Sequence, residues 1–189
     1  MKKKVKTSIF ISGKGSNLKS LIKFSLLKNS PIQINVIITD NINAKGLTYA
    51  DRYKIKKKII KFNGKGVAEN KILKILKHNN IKLICLAGFM KVLSKNFIKR
   101  FEGNILNIHP SLLPKYKGLN THERVILNNE KFSGCTVHLV NSKLDSGKII
   151  LQKKVRINKK DNSKSLSKKI LIQEHILYPK ALKKFLSRT

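Results

Sequence analysis

Short apolar runs rich in β-branched residues alternate with longer stretches whose apolar residues recur at helical spacing. Val5 to Ile11 reads as a first strand, followed directly by Ser12-Gly13-Lys14-Gly15-Ser16-Asn17. Leu18, Leu21, Ile22 and Leu26 then form the apolar stripe of a helix. Ile32 to Thr39 predicts a second strand, Ala44 to Tyr53 a second helix, Lys57 to Phe62 a third strand and Val67 to Lys77 a third helix. Ile81 to Ala87 is almost continuously apolar, the pattern of a strand covered on both faces. Asn104 to Ile108 predicts a further strand that ends on His109.

Alternation of this kind predicts an α/β fold built on a Rossmann-like open sheet, mostly parallel. The second half changes character. Pro110 to Leu119 is irregular and Thr121 to Asn128 reads as a helix. Thr136 to Val140 and Ile149 to Val155 predict two strands joined by the polar loop Asn141 to Lys148, so antiparallel strands are expected in the C-terminal half. Ser163 to Leu186 predicts a long closing helix, bent or broken at Pro179. With no repeat and no Pro/Gly-rich linker, a single domain over residues 1–189 is expected.

Composition narrows the setting. No apolar run approaches the roughly 20 residues that cross a bilayer. The basic start, Met1 to Lys4, is followed by a run broken at Lys6 and then by Ser12-Gly13, which leaves no signal-peptide core. A cytoplasmic protein without a membrane partner is expected. Cys85 and Cys135 each sit inside an apolar run without metal-ligand spacing, which predicts buried thiols and no metal site. The net charge of +33 calls for a test of nucleic-acid binding. The basic residues are mostly Lys, spread over the whole chain, and aromatics make up only 6% with no Trp. A diffuse solvated charge without a specific nucleic-acid partner fits this pattern, and it would still draw in small anions.

Two constellations carry candidate chemistry. Ser12 to Asn17 joins a strand to a helix, where free N–H groups and the positive end of the helix dipole can hold an anion. It is neither a P-loop nor GxGxxG, so a monophosphate is favoured, with Gly15, Ser16 and Asn17 as its binders. The plainer alternative is a strand-to-helix turn with Ser16 as helix cap. In the second constellation, Asn107 and His109 lie two apart at a strand end and so share a face. Asn can donate to a developing oxyanion, and His can move a proton near neutral pH. Asp145, in Leu144-Asp145-Ser146-Gly147, would favour the charged form of His109. On spacing alone, His109 as a capped strand-end His stands only slightly behind the catalytic reading.

The surrounding words are more specific. Asn107-Ile108-His109-Pro110-Ser111-Leu112-Leu113-Pro114-Lys115-Tyr116-Lys117-Gly118 resembles the signature of the folate-dependent formyltransferases. Ser12 to Asn17, Leu86-Ala87-Gly88-Phe89-Met90-Lys91-Val92-Leu93, Gly134-Cys135-Thr136-Val137-His138, Leu144 to Gly147 and Gln173-Glu174-His175-Ile176-Leu177-Tyr178-Pro179 resemble, in order, segments of the family's purine-synthesis branch. The resemblance implies transfer of a formyl group from 10-formyltetrahydrofolate, as cosubstrate, to the amine of glycinamide ribonucleotide. It implies small-molecule partners and either a monomer or a homodimer. Under it, Asn107, His109 and Asp145 are catalytic, and Gly15, Ser16 and Asn17 bind the substrate phosphate. Lys65, Met90, Lys91, Val92, Leu93, Asn107 and the loop Asn141, Ser142, Lys143, Leu144 and Asp145 bind folate. Glu174 contacts the glycinamide, and His138 supports the catalytic residues from behind.

Three positions depart from the family's pattern. Lys14 stands where Asn is common, and Lys65 and Lys91 stand where Arg is common, without the bidentate fork of a guanidinium. A relative that formylates charged initiator tRNA is the nearest rival and is expected to carry a C-terminal RNA-binding domain. A formyltetrahydrofolate hydrolase is expected to carry an extra N-terminal domain. A basic nucleic-acid-binding protein with a dead site on the same scaffold is the rival from another class.

Overall fold

A computed structural model describes residues 3–187. The elements run β1 (Val5–Ile11), α1 (Ser16–Ser25), β2 (Ile32–Thr39), α2 (Leu47–Arg52), β3 (Lys56–Ile59), α3 (Lys65–His78), β4 (Leu83–Leu86), α4 (Lys95–Arg100), β5 (Asn104–His109), α5 (Thr121–Leu127), β6 (Phe132–Leu139), β7 (Ile149–Arg156) and α6 (Ser163–Leu186). The strands follow the order β3-β2-β1-β4-β5-β6-β7. This is the open α/β sheet expected, parallel where β1 pairs with β2 and β4, and β2 with β3, and antiparallel where β6 pairs with β7. Two compact units divide the chain, one ending at Leu106 and one beginning at Asn107.

In the first unit, β1 and β4 read as central strands because both faces are covered. Ile9, Phe10 and Ile11 are buried, as is all of Leu83 to Leu86. Leu18, Leu21 and Ile22 of α1 are fully buried, as the helical spacing predicts. β3 is the edge strand, and its exposed Lys56, Lys57 and Lys58 discourage pairing with another chain. The helix α4 has no counterpart in the sequence reading. Ser94 caps it by accepting from Phe97 N–H at 3.0 Å, and Ser94 is itself gripped by buried Glu69, which accepts from its N–H at 2.7 Å and from its hydroxyl.

In the second unit, α6 packs on β6, β7 and α5 through Leu166, Ile170, Leu177, Tyr178, Ala181 and Leu182, all buried. Its start carries a capping box formed by Asn162 and Ser165. Of the bend or break expected at Pro179, the break does not occur: the helix runs uninterrupted to Leu186. An interior proline costs about 3 kcal/mol. Burying the side chains of Leu177, Tyr178 and Leu182 on either side of it, at about 1.5–3 kcal/mol each, offsets that cost.

Gly134 tests the packing of β6 on β7. A Cβ there would lie 2.0 Å from the carbonyl oxygen of Lys153 and 2.7 Å from a methyl of Leu112. Gly134→Ala should therefore lose about 2–4 kcal/mol in urea unfolding. A loss within the scatter of the measurement would show that the strands part freely there.

Candidate active site

The loop Ser12 to Asn17 of the first unit is shaped by backbone geometry. Gly15 occupies the N-cap position of α1 with φ 72° and ψ 26°, and no side chain caps the helix. The alternative with Ser16 as cap is not realised, because Ser16 is already the first helical residue. Its neighbour Asn17 is buried in the first turn. The left-handed conformation disfavours a side chain at Gly15, and a Cβ there would lie 2.5 Å from Gly46 Cα. Gly46 N–H donates to the Gly13 carbonyl at 3.0 Å, so the start of α2 backs the loop.

Ser12 ties this loop to the turn after β4. Its N–H donates to the Gly88 carbonyl at 3.0 Å, its hydroxyl accepts from Met90 N–H at 2.9 Å, and the hydroxyl donates to Asp40 at 2.5 Å. Lys91 Nζ lies 3.7 Å from the other Asp40 oxygen. Met90 and Val92 project into solvent, 62% and 59% exposed, whereas Leu93 is buried in the core and can offer a ligand only its backbone. Lys65 stands exposed at the first position of α3. A cleft of about 470 Å³ lies between Asp40, Asn41, Lys61, Phe62 and Lys91.

The second unit gathers the polar residues of the other constellation. β5 presents Asn107 and His109 on one face, β6 adds His138, and the β6–β7 turn delivers Asp145 at φ 45°. That turn is closed by its own bonds: Leu139 N–H donates to Lys148 at 2.9 Å, and Gly147 lies so close to Leu139 that a Cβ would sit 1.7 Å from its carbonyl oxygen. Asn141, Ser142 and Lys143 are exposed on the same turn, as is Leu144. Asp145 is 8% exposed, and its Oδ2 accepts from Gly118 N–H at 2.9 Å. The same oxygen faces His109 Nδ1 at 3.4 Å, and Oδ1 lies 3.5 Å from Asn107 Nδ2 and 3.6 Å from His138 Nε2. Glu174 is buried on α6 and acts on the thiol of Cys135, which burial pushes up to about 12.

Hydrogen-bond partners assign the ring protons, because a carbonyl can only accept. His138 Nδ1 meets the Leu139 carbonyl at 2.8 Å and therefore carries hydrogen. Its Nε2 then accepts from Asn107 Nδ2 at 3.2 Å, which turns the Asn107 amide group toward it. The second N–H of that amide makes only the long contact to Asp145, so it can turn to another acceptor. His109 Nε2 meets the Tyr116 carbonyl at 2.8 Å and is the protonated nitrogen of the neutral ring. Nδ1 is left to move a proton.

The charge state of His109 departs from expectation. The carboxylate of Asp145 does favour the imidazolium, as does the Tyr116 carbonyl, but burial outweighs both and holds His109 below the ordinary His value. Asp145 is held below the ordinary Asp value: burial, the largest influence, pushes its pKa up, but His138, the Gly118 N–H and His109 together outweigh it. The neutral ring thus turns a bare Nδ1 toward an ionised carboxylate, an arrangement ready to accept a proton.

A strand-end Asn and His are thus met by a loop Asp within the second unit. The chain belongs to the formyl transferase family, whose model matches residues 5–182. Among its relatives, the phosphoribosylglycinamide formyltransferase of Haemophilus influenzae is 38% identical over 183 residues, 95% of this chain and 86% of that protein. The crystal structure of the phosphoribosylglycinamide formyltransferase of Brucella melitensis matches at TM-score 0.92 and 42% identity, covering 97% of this chain and 96% of that one. The human trifunctional purine biosynthetic protein adenosine-3 is 38% identical over 191 residues, and this chain spans 19% of its length.

Sequence reasoning did not find Gly118, Tyr116, Asp40 or Gly46. Tyr116 and Gly118 lie inside the signature, but what they contribute is main-chain groups, which side-chain identity does not report.

Both shifts give stability the same sign. As pH falls below 6.5, the ordinary His value, the unfolded chain takes up a proton that buried His109 resists, so the folding free energy declines. Asp145 adds a second decline as pH falls from 3.8 toward its lower folded value. His122, also held low by burial, contributes to the first. Denaturant unfolding across this range should show a shallower first decline in His109→Asn; an unchanged profile would contradict the assignment.

Proposed function

We propose that the chain transfers the formyl group of 10-formyltetrahydrofolate to the amine of glycinamide ribonucleotide, giving formylglycinamide ribonucleotide and tetrahydrofolate in purine biosynthesis. The observation that carries this reading is the cluster of Asn107, His109 and Asp145, with one Asn107 N–H and His109 Nδ1 uncommitted to firm bonds. The names of the relatives support it. Small molecules are its only required partners, and the cytoplasm, with a monomer or homodimer, is its setting.

Each unit supplies part of the chemistry. In the first, the uncapped N-terminus of α1 at Gly15, Ser16 and Asn17 takes the substrate phosphate. The exposed apolar side chains of Met90 and Val92 suit a flat ring, and Lys61 and Lys91 beside the cleft suit an anionic tail, with Lys65 a further cation on α3. In the second, Leu144 is a similarly exposed apolar residue, presented with Asn141, Ser142 and Lys143 on the turn that carries Asp145, and Glu174 receives the glycinamide. The folate donor supplies the formyl carbon and a nitrogen that leaves.

Asn107 turns its loosely held N–H to the formyl oxygen, which gains negative charge as the amine adds. His109 accepts on Nδ1 the proton that the amine loses as the new C–N bond forms. It returns that proton to the leaving nitrogen as the old C–N bond breaks. Asp145 stabilises the short-lived imidazolium, and His138 keeps the Asn107 amide turned the right way.

Purified protein given 10-formyltetrahydrofolate and glycinamide ribonucleotide should release tetrahydrofolate. Formylation of charged initiator tRNA in place of the ribonucleotide would overturn the choice of acceptor. His109→Ala should lower turnover by about 10²–10⁴-fold while phosphate-ligand binding persists.

A further inference from the structure

The Asp145 carboxylate creates a difficulty for its neighbour. A neutral imidazole has one ring proton, and an anion facing Nδ1 draws that proton to Nδ1, where the ring could no longer act as a base toward substrate. Something must hold the proton on Nε2. The groups that face His109 are Asp145 from the β6–β7 turn, His138 from β6, Arg124 and His122 from α5, and the Tyr116 main chain. Of these, only the Tyr116 carbonyl meets Nε2, at 2.8 Å.

That carbonyl is held in place by the residue's own side chain. Tyr116 has φ 56°, a left-handed conformation uncommon for a bulky residue. Its hydroxyl donates to Glu130 at 2.9 Å and accepts from Asn128 Nδ2 at 2.9 Å. The Arg124 guanidinium lies 5.4 Å from the ring centroid and donates to the next carbonyl, Lys117, at 2.7 Å. The base of the same loop is pinned separately to β6 and β7, where Thr136 donates to Ser111 at 2.6 Å and Gln152 donates to Leu113 at 2.8 Å. Loss of the Tyr116 hydroxyl therefore removes the side-chain anchors on Glu130 and Asn128 from the tip of the loop and leaves its base attached.

We propose that Tyr116 is a positioning residue: its side chain, anchored on Glu130, Asn128 and Arg124, fixes its carbonyl on His109 Nε2 and so keeps Nδ1 bare toward Asp145. This rests on the role given to His109 above. It adds to that role a tautomer set through the main-chain carbonyl of Tyr116.

The test combines ¹⁵N NMR of the His109 ring with kinetics in Tyr116→Phe, Glu130→Ala and Glu130→Gln. The wild-type ring should carry its proton on Nε2 at neutral pH. Tyr116→Phe and Glu130→Ala should move part of the population to Nδ1–H and lower kcat about tenfold, with the KM for either substrate little changed. Loss of the carbonyl also disfavours the imidazolium, so the acidic limb of kcat/KM should shift to lower pH. Glu130→Gln retains an oxygen for the Tyr116 hydroxyl and should stay close to wild type. Variants that lose thermal stability while keeping both the Nε2–H ring and the wild-type pH profile would overturn the proposal, as would a wild-type ring protonated on Nδ1. If the unsubstituted protein fails to formylate glycinamide ribonucleotide, the functional reading falls, and the NMR comparison still decides the tautomer question.

Discussion

The buried carboxylate of Asp145 organises the polar cluster of the second unit. Removing an ion from water costs several kcal/mol unless its surroundings satisfy it. Asp145 meets that demand with the Gly118 N–H on one oxygen, while Asn107, His109 and His138 gather around the two oxygens. Each neighbour is thereby oriented: the Asn107 amide turns its nitrogen inward, and His109 presents Nδ1. Asp145 is held below the ordinary Asp value despite its burial, and burial holds the adjacent His109 below the ordinary His value.

Much of the local architecture serves to put that carboxylate where it is. The β6–β7 turn is tight enough that Gly147 has no room for a side chain, and Asp145 takes a left-handed backbone at its apex. On the other side, the loop after β5 supplies the Gly118 N–H and the Tyr116 carbonyl. Both are main-chain groups, so the loop meets Asp145 and His109 through its backbone conformation. The first unit follows a similar economy. No side chain caps the start of α1, and Gly15 and Gly46 let two backbones approach.

Burial on both faces leaves a continuous apolar run in β4, and Ile9, Phe10 and Ile11 mark the second half of β1, which made these strands legible. Asn107 and His109 were legible as a pair because strand alternation puts them on one face. Asp145 entered through its loop and through the resemblance of the neighbouring words to a known family. What stayed hidden depends on geometry that residue identity does not encode. The continuity of α6 through Pro179 reflects packing of Tyr178, Ala181 and Leu182 against the sheet, which outweighs a local preference. The helix α4 was missed because six residues carry too little periodicity, although Ser94 ahead of it was a usable cap signal. The lowered proton affinity of His109 could not be foreseen from a neighbouring carboxylate alone, because burial acts against that charge and wins.

The behaviour of the cluster turns on where one proton sits. A neutron crystal structure of the protein at neutral pD would locate it directly. The expected result is a deuteron on His109 Nε2 directed at the Tyr116 carbonyl, with Nδ1 bare and Asp145 ionised. A deuteron on Nδ1 directed at Asp145, with Nε2 bare, would contradict it.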